Sequence, residues 1–198
     1  MGRVFLHAGL VLGLGALLGT GLLPRGSQQD VDAGTALRLE VEGLVEEAEL
    51  CLEGHVRGTR VVEPAPGRLE TEVELDVDRW FLGDEGPRVT VAMPGGVRED
   101  GFGLLLPGMP TLRQGEDVLL FLSEAGATGV RVPVGLSQGK FRVETRLDGQ
   151  RGLSRAHGSL TTVDPTTGVA RDAQGAEIFD YAETVARIHA AVAAKEAR

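Results

Sequence analysis

The stretch VRVPVGLSQGKFRV, residues 130–143, carries the decisive irregularity of the chain. Val130, Val132, Val134 and Leu136 hold even positions, whereas Phe141 and Val143 hold odd ones. Side chains on a strand alternate between two faces, so one strand presents both sets on one face only if an extra residue is taken up between them. Ser137-Gln138-Gly139 is the place, because Gly139 suits a β-bulge. Bulges bend strands around barrel corners.

The preceding segments keep the two-residue period. Leu50, Leu52, Gly54 and Val56 alternate with Glu53, His55 and Arg57. After the turn Pro64-Ala65-Pro66-Gly67, Val73, Leu75 and Val77 alternate with Glu72, Glu74, Asp76 and Asp78, the pattern of a half-buried strand. Residues 83–87 turn the chain into Val89, Val91 and Met93. Val118 to Leu122 is a continuous apolar run, which predicts a strand buried on both faces. Two segments step with helical spacing instead. Val41, Leu44, Val45 and Ala48 predict a short amphipathic helix. Ile178, Tyr181, Val185, Ile188 and Val192, with Asp180 and Glu183 as a capping-box pair, predict a C-terminal amphipathic helix over 177–198.

Five strands, a long third-to-fourth connection and flanking helices give a mainly β reading: a five-stranded OB-type barrel over residues 39–147. A β-sandwich needs about seven strands. A second hairpin near residues 151–163 would raise the count, but its glycine and threonine content leaves 148–176 as an irregular connection.

Arg3 precedes an apolar run, Val4 to Leu23, that contains no charge and ends at Pro24-Arg25. Residues 1–23 therefore read as a signal peptide or signal-anchor helix, and 24–38 as a flexible linker. The domain is expected outside the cytoplasm, periplasmic or extracellular, touching the membrane only through its N-terminal segment. Among 198 residues, 20 are basic and 29 acidic, a formal net charge of −9. No acid precedes Asp30, so removal of residues 1–29, with Arg3 and Arg25, lowers the charge to −11. That excess of acid argues against nucleic acid as a partner. The basic run Lys140, Arg142, Arg146, Arg151 and Arg155 has only Phe141 nearby as a stacking platform. One cysteine, Cys51, excludes an intramolecular disulfide framework, and the four histidines have no ligand spacing, so neither metal nor other cofactor is expected.

Leu44-Val45, Ala48-Glu49-Leu50, Gly54-x-Val56, Val73-x-Leu75-x-Val77, Pro94-Gly95-Gly96, the block from Gly115-Glu116 through Val118–Leu122, and the block from Val134 through Gly139-Lys140-Phe141 to Val143 together resemble a family of uncharacterised exported bacterial proteins. The resemblance covers roughly residues 40–145 and implies a fold but no activity. More remotely, the element order is similar to netrin-like domains, the group that includes tissue inhibitors of metalloproteinases. Inhibition there relies on an N-terminal cysteine and several disulfides, which this chain lacks. The resemblance thus implies the barrel, with a protease-inhibitor-like domain as a weaker reading.

Two sites follow from the residues. Gly135-x-Ser137-x-Gly139 fits the nucleophile-elbow string, with Asp148 and His157 following in order, which would make a small secreted serine hydrolase. The strand pattern after it, Lys140 to Glu144, favours the bulge instead. The connection 94–115 is too apolar for a plain loop. Phe102, Leu104, Leu105, Leu106 and Met109 either plug the barrel end or bind a protein partner in the envelope or extracellular space. The leading expectation is a non-catalytic interaction module. The four carboxylates Glu72, Glu74, Asp76 and Asp78 are expected to be solvated or cross-paired, with Arg57 as one partner.

Overall fold

The computed structural model describes residues 34–198 apart from Glu85, His157, Ser159, Ala173, Gln174 and the side chain of Asp172. The export segment 1–23 and most of the 24–38 linker lie outside the described residues. Within them, no helix is long and apolar enough to cross a membrane.

The elements are β1 (Thr35–Leu37), α1 (Val41–Glu47), β2 (Leu50–Ala65), β3 (Arg68–Leu82), β4 (Arg88–Pro94), β5 (Gly96–Val97), β6 (Gly103–Leu104), β7 (Asp117–Leu122), a 3₁₀ turn (Leu136–Gly139), β8 (Lys140–Thr145), β9 (Arg151–Ala156), β10 (Thr161–Val163), β11 (Ala170–Asp172), β12 (Ala176–Asp180) and α2 (Tyr181–Glu196). The main sheet has seven strands in the order β12-β9-β8-β7-β2-β3-β4, and every pairing in it is antiparallel. A small sheet, β1-β10-β11, stands apart from it.

The fold is mainly β, but the main sheet is open, so the expected closed barrel is corrected. At β4 a backbone bond from Arg131 N–H to the Ala92 carbonyl (2.8 Å) brings the 123–135 segment against the edge. At the other end the sheet grows beyond five strands, because β8 turns through residues 146–150 into β9, and β12 adds to β9. The stretch 148–176 thus carries regular strands. Its small residues (Gly152, Ser154, Ala156) left no periodic signal, and pairing to neighbours decides their conformation. Thr35–Leu37 likewise pairs in parallel with β10, where a linker was expected.

Two cores lie on opposite faces of the sheet. On one, Cys51, Phe81, Leu119, Phe121, Phe141 and Leu153 pack under Leu44 and Val45 of α1 and Ile188 and Val192 of α2. On the other, Leu52, Val56, Val73, Leu75, Val91, Leu120 and Leu122 pack together within the curl of β2, β3, β4 and β7. The central strand β7 is buried on both faces, as its unbroken apolar run predicts. The β2–β3 hairpin shifts register at four places, which bends it. At one of these Gly54 is required: a Cβ there would stand 2.4 Å from the Asp76 carbonyl oxygen.

A seven-residue helix such as α1 does not persist alone in water. It is held by its apolar stripe and by α2. The Lys195 ammonium donates to the carbonyls of Val45, Glu46 and Ala48, which satisfies the open C-terminal end of α1. Arg187 grips Glu42 through two bonds. The helix α2 starts at Tyr181 rather than 177, because Asp180 is its N-cap and accepts from Glu183 N–H at 2.8 Å. Ile178 therefore belongs to strand β12, and its step to Tyr181 matched a helix by coincidence.

The phase change at 134–141 is real but larger than a bulge. Val134 N–H donates to the Phe121 carbonyl, the chain leaves the ladder through the 3₁₀ turn, and it rejoins at Lys140 opposite Leu120. Gly139 sits so close to the returning chain that a Cβ would lie 2.5 Å from the Val134 carbonyl oxygen. The fully buried Gln138 amide accepts from Leu39 N–H (2.8 Å) and donates to the Leu37 carbonyl (2.9 Å), standing in for a strand partner of the N-terminal segment. Gln138→Leu keeps the volume and orphans both backbone groups. It is expected to lower unfolding stability by about 2–5 kcal/mol, read by chemical denaturation, whereas a surface change costs within about 0.5 kcal/mol.

Candidate functional site

Residues 94–115 build a ridge. Gly95 extends the sheet by donating to the Leu69 carbonyl, and its own carbonyl accepts from Thr71 Oγ1 at 2.7 Å. The β5–β6 hairpin then projects outward. Its tip is closed by Arg98 N–H to the Phe102 carbonyl, and Arg98 pairs with Asp100 and with Glu63 of β2. The guanidinium lies 5.8 Å from the centre of the Phe102 ring. The chain next makes a turn closed by Met109 N–H to the Leu106 carbonyl (3.1 Å) and dives into the sheet at Leu112.

The ridge is held from below. Ser137 N–H donates to the Gly108 carbonyl (2.8 Å), and Lys140 Nζ donates to the Thr111 carbonyl (2.6 Å). The same ammonium pairs with Glu116 Oε2 at 2.7 Å, with both side chains mostly buried. Burial opposes the charge on Glu116, but the Lys140 ammonium and the Arg113 N–H outweigh it and hold the carboxyl below its usual range. The pair ties the start of β7 to the start of β8.

The side chains of this segment divide between core and surface. Leu112 is buried and Met109 packs against the core inside the curl, as a plug would. Phe102 is 58% exposed and Leu105 64% exposed, and Leu104 faces solvent too. Leu106 is half-buried between them. A hollow flanks the ridge on each side. One, of about 620 Å³, lies between Leu105, Leu106 and Met109 and the open face of β8 and β9, with Lys140, Arg142 and Ser154 among its walls. The other, of about 290 Å³, is lined mainly by apolar groups such as Val61, Met93, Val97 and Leu104.

Ser137 is buried in the wall of the larger hollow. Its turn leads into strand β8 and not into a helix, and the left-handed backbone falls on Gly135 and Leu136 (φ 62° for each). Asp148 sits in the turn beyond the far end of β8, where its carboxylate accepts from Gln150 N–H at 2.9 Å. The six residues of β8 separate it from Ser137 by about 20 Å. His157 lies outside the described residues. The structure thus keeps Ser137 and Asp148 apart and brings Leu104, Leu105, Leu106 and Met109 together.

Among the four carboxylates of β3, Glu72 pairs with Arg60, and Asp76 with both Arg57 and Arg88. The cross-strand pairing expected of that face is present there. A buried polar cluster escaped the sequence reading. Glu53, 3% exposed, accepts from Tyr181 Oη at 2.6 Å and from Arg151, whose guanidinium also stacks 4.3 Å from the Tyr181 ring centre. Burial and the Glu53 carboxylate push the Tyr181 phenol up. The cluster clamps the first turn of α2 to β2 and β9. Burial alone pushes the Cys51 thiol well up, so it is a poor nucleophile.

Comparison with protein-family models, with curated proteins and with solved structures finds no match to this chain.

The sign of the Glu116 shift fixes a pH dependence. Its folded pKa lies below the unfolded one, so the stabilisation is complete above the unfolded value, about 4.3, and is lost as pH falls through the folded value. Wild-type stability is expected to drop on acidification below about pH 5, and Glu116→Gln to flatten that drop. Denaturation midpoints measured from pH 3 to pH 7 check it, and identical slopes in the two proteins would contradict it.

Proposed function

We propose that the chain is an exported, non-catalytic interaction module that binds a segment of a partner protein across the 104–109 ridge. One observation carries this reading: Phe102, Leu104 and Leu105 expose large apolar side chains on a segment that is hydrogen-bonded to the scaffold at Gly95, Gly108 and Thr111. A mobile loop would lose conformational entropy on binding, and a pinned ridge has already lost most of it. The two hollows give a partner's apolar side chains somewhere to insert beside the ridge. The walls of the larger one carry both signs of charge, Arg113, Lys140 and Arg142 beside Glu116 and Glu144.

Export is supported by the uncharged apolar run Val4–Leu23 behind Arg3. An OB or netrin-like relationship is supported by the β2-β3-β4 meander, by β7 pairing on the other side of β2 with β8 beyond it, and by the Arg131–Ala92 bond at β4. It would make this an opened-out five-strand core with β9 and β12 added.

Affinity capture from the envelope and secreted fractions of producing cells tests the reading, with the double variant Phe102→Ser, Leu105→Ser against wild type. Leu147→Ser, at a fully exposed leucine in the β8–β9 turn, is the control. Recovery of the partner is expected to fall at least about tenfold with the ridge variant and to be unchanged with the control. Equal recovery with all three proteins would overturn the proposal.

A further inference from the structure

The two edges of the main sheet are treated differently. At β4, Arg131 N–H occupies the Ala92 carbonyl, and the strand ends at Pro94. At the opposite edge β12 has, among the described residues, a ladder partner on one side only, β9. Its sequence, Ala176-Glu177-Ile178-Phe179-Asp180, has no lysine, no proline and no bulge against β9, the devices by which proteins usually blunt an edge. Its charges do not guard the edge either. The Glu177 carboxylate is taken by Arg155 and Arg38, on the face under the helices. Asp180 is taken by the N-terminus of α2. The midpoint residue, Ile178, is 64% exposed and sits on the other face, in a row with Ser154 and Arg142.

We infer that β12 pairs with β12 of a second copy of this chain, antiparallel about a two-fold axis at Ile178. In that register Ile178 faces Ile178 of the partner, each Ala176 faces an Asp180, and each Glu177 faces a Phe179. No like charges oppose each other, and the exposed isoleucines cover one another. Centring the pairing one residue earlier would set Glu177 against Glu177, which is unfavourable. Because both copies use the same edge, the interface is self-complementary and closes at two chains, giving a continuous fourteen-stranded sheet with the two larger hollows on one face. Five residues per edge bury less than the roughly 1,200–2,000 Å² of stable complexes, so the pairing is weak and reversible.

A covalent trap suits a weak interface. Cys51 is the single cysteine and is fully buried, so an introduced surface thiol is the reactive one. Directly opposed Cβ atoms lie about 4.5–5.5 Å apart, near disulfide reach. Two Ala176 positions, four residues out of register with each other, lie about 13 Å apart. The full chain carrying Ile178→Cys or Ala176→Cys is oxidised in producing cells and run on non-reducing gels. Ile178→Cys is expected to form a covalent dimer at least about tenfold faster than Ala176→Cys. Ile178→Lys, which opposes two ammonium groups at the axis, is expected to shift wild-type sedimentation at high concentration from dimer to monomer while leaving the thermal midpoint unchanged. Equal cross-linking at 176 and 178, or a wild type that stays monomeric at hundreds of micromolar (about that concentration range suits weak interfaces), would overturn the inference.

Discussion

The five-residue turn Gly135–Gly139 hydrogen-bonds two separate parts of this protein and fits closely against a third. The Ser137 amide carries the ridge through Gly108, the Gln138 side chain carries the N-terminal segment through Leu37 and Leu39, and Gly139 lets the chain pass close to Val134 and Phe121. The Ser137 and Gln138 donors and acceptors are buried, so losing either bond leaves a buried group without its partner. The turn also places Lys140 at the start of β8, where its ammonium reaches Thr111 and Glu116. The exposed ridge thus inherits its position from the centre of the sheet.

A second constraint is the double burial of β2 and β7. Helices cover one face and the curl of the sheet covers the other, so β2 sends Cys51 and Glu53 under the helices while Leu50 and Leu52 enter the other core. The ionic groups on the helix side are consequently paired. Arg155, 1% exposed, lies against the Phe141 and Phe179 rings and bonds Glu177 and the Leu39 carbonyl. Truncating one member of such a pair leaves an uncompensated buried charge, which is why these clusters fix the seat of α2 and β12.

The elements with strong periods were legible in the sequence: β3 from its alternation, β7 from its unbroken apolar run, α1 and most of α2 from helical spacing. The break between Val134 and Phe141 was legible as well, but its form was not, since an even-to-odd change specifies an insertion and not its geometry. The burial of Glu53 was hidden because alternation assigns one face to solvent, and only the arrival of two helices reverses that. The Asp180 cap marked the true start of α2, and the step from Ile178 to Tyr181 masked it. Of the site, the apolar ridge stood out because so many leucines are unusual in a connection rich in glycine and proline. The Lys140–Glu116 pair did not, because its members lie 24 residues apart and meet only through strand pairing.

Held in this way, the turn and the ridge form one cooperative unit with the sheet. Native-state hydrogen exchange, resolved to single amides, measures this directly in the full chain. The amides of Leu39 and Ser137, which donate to Gln138 and Gly108, are expected to open at the same free energy as those of Leu119 to Leu122 in β7. Exchange of Leu39 and Ser137 at the rate of an exposed loop, with β7 still protected, would contradict it.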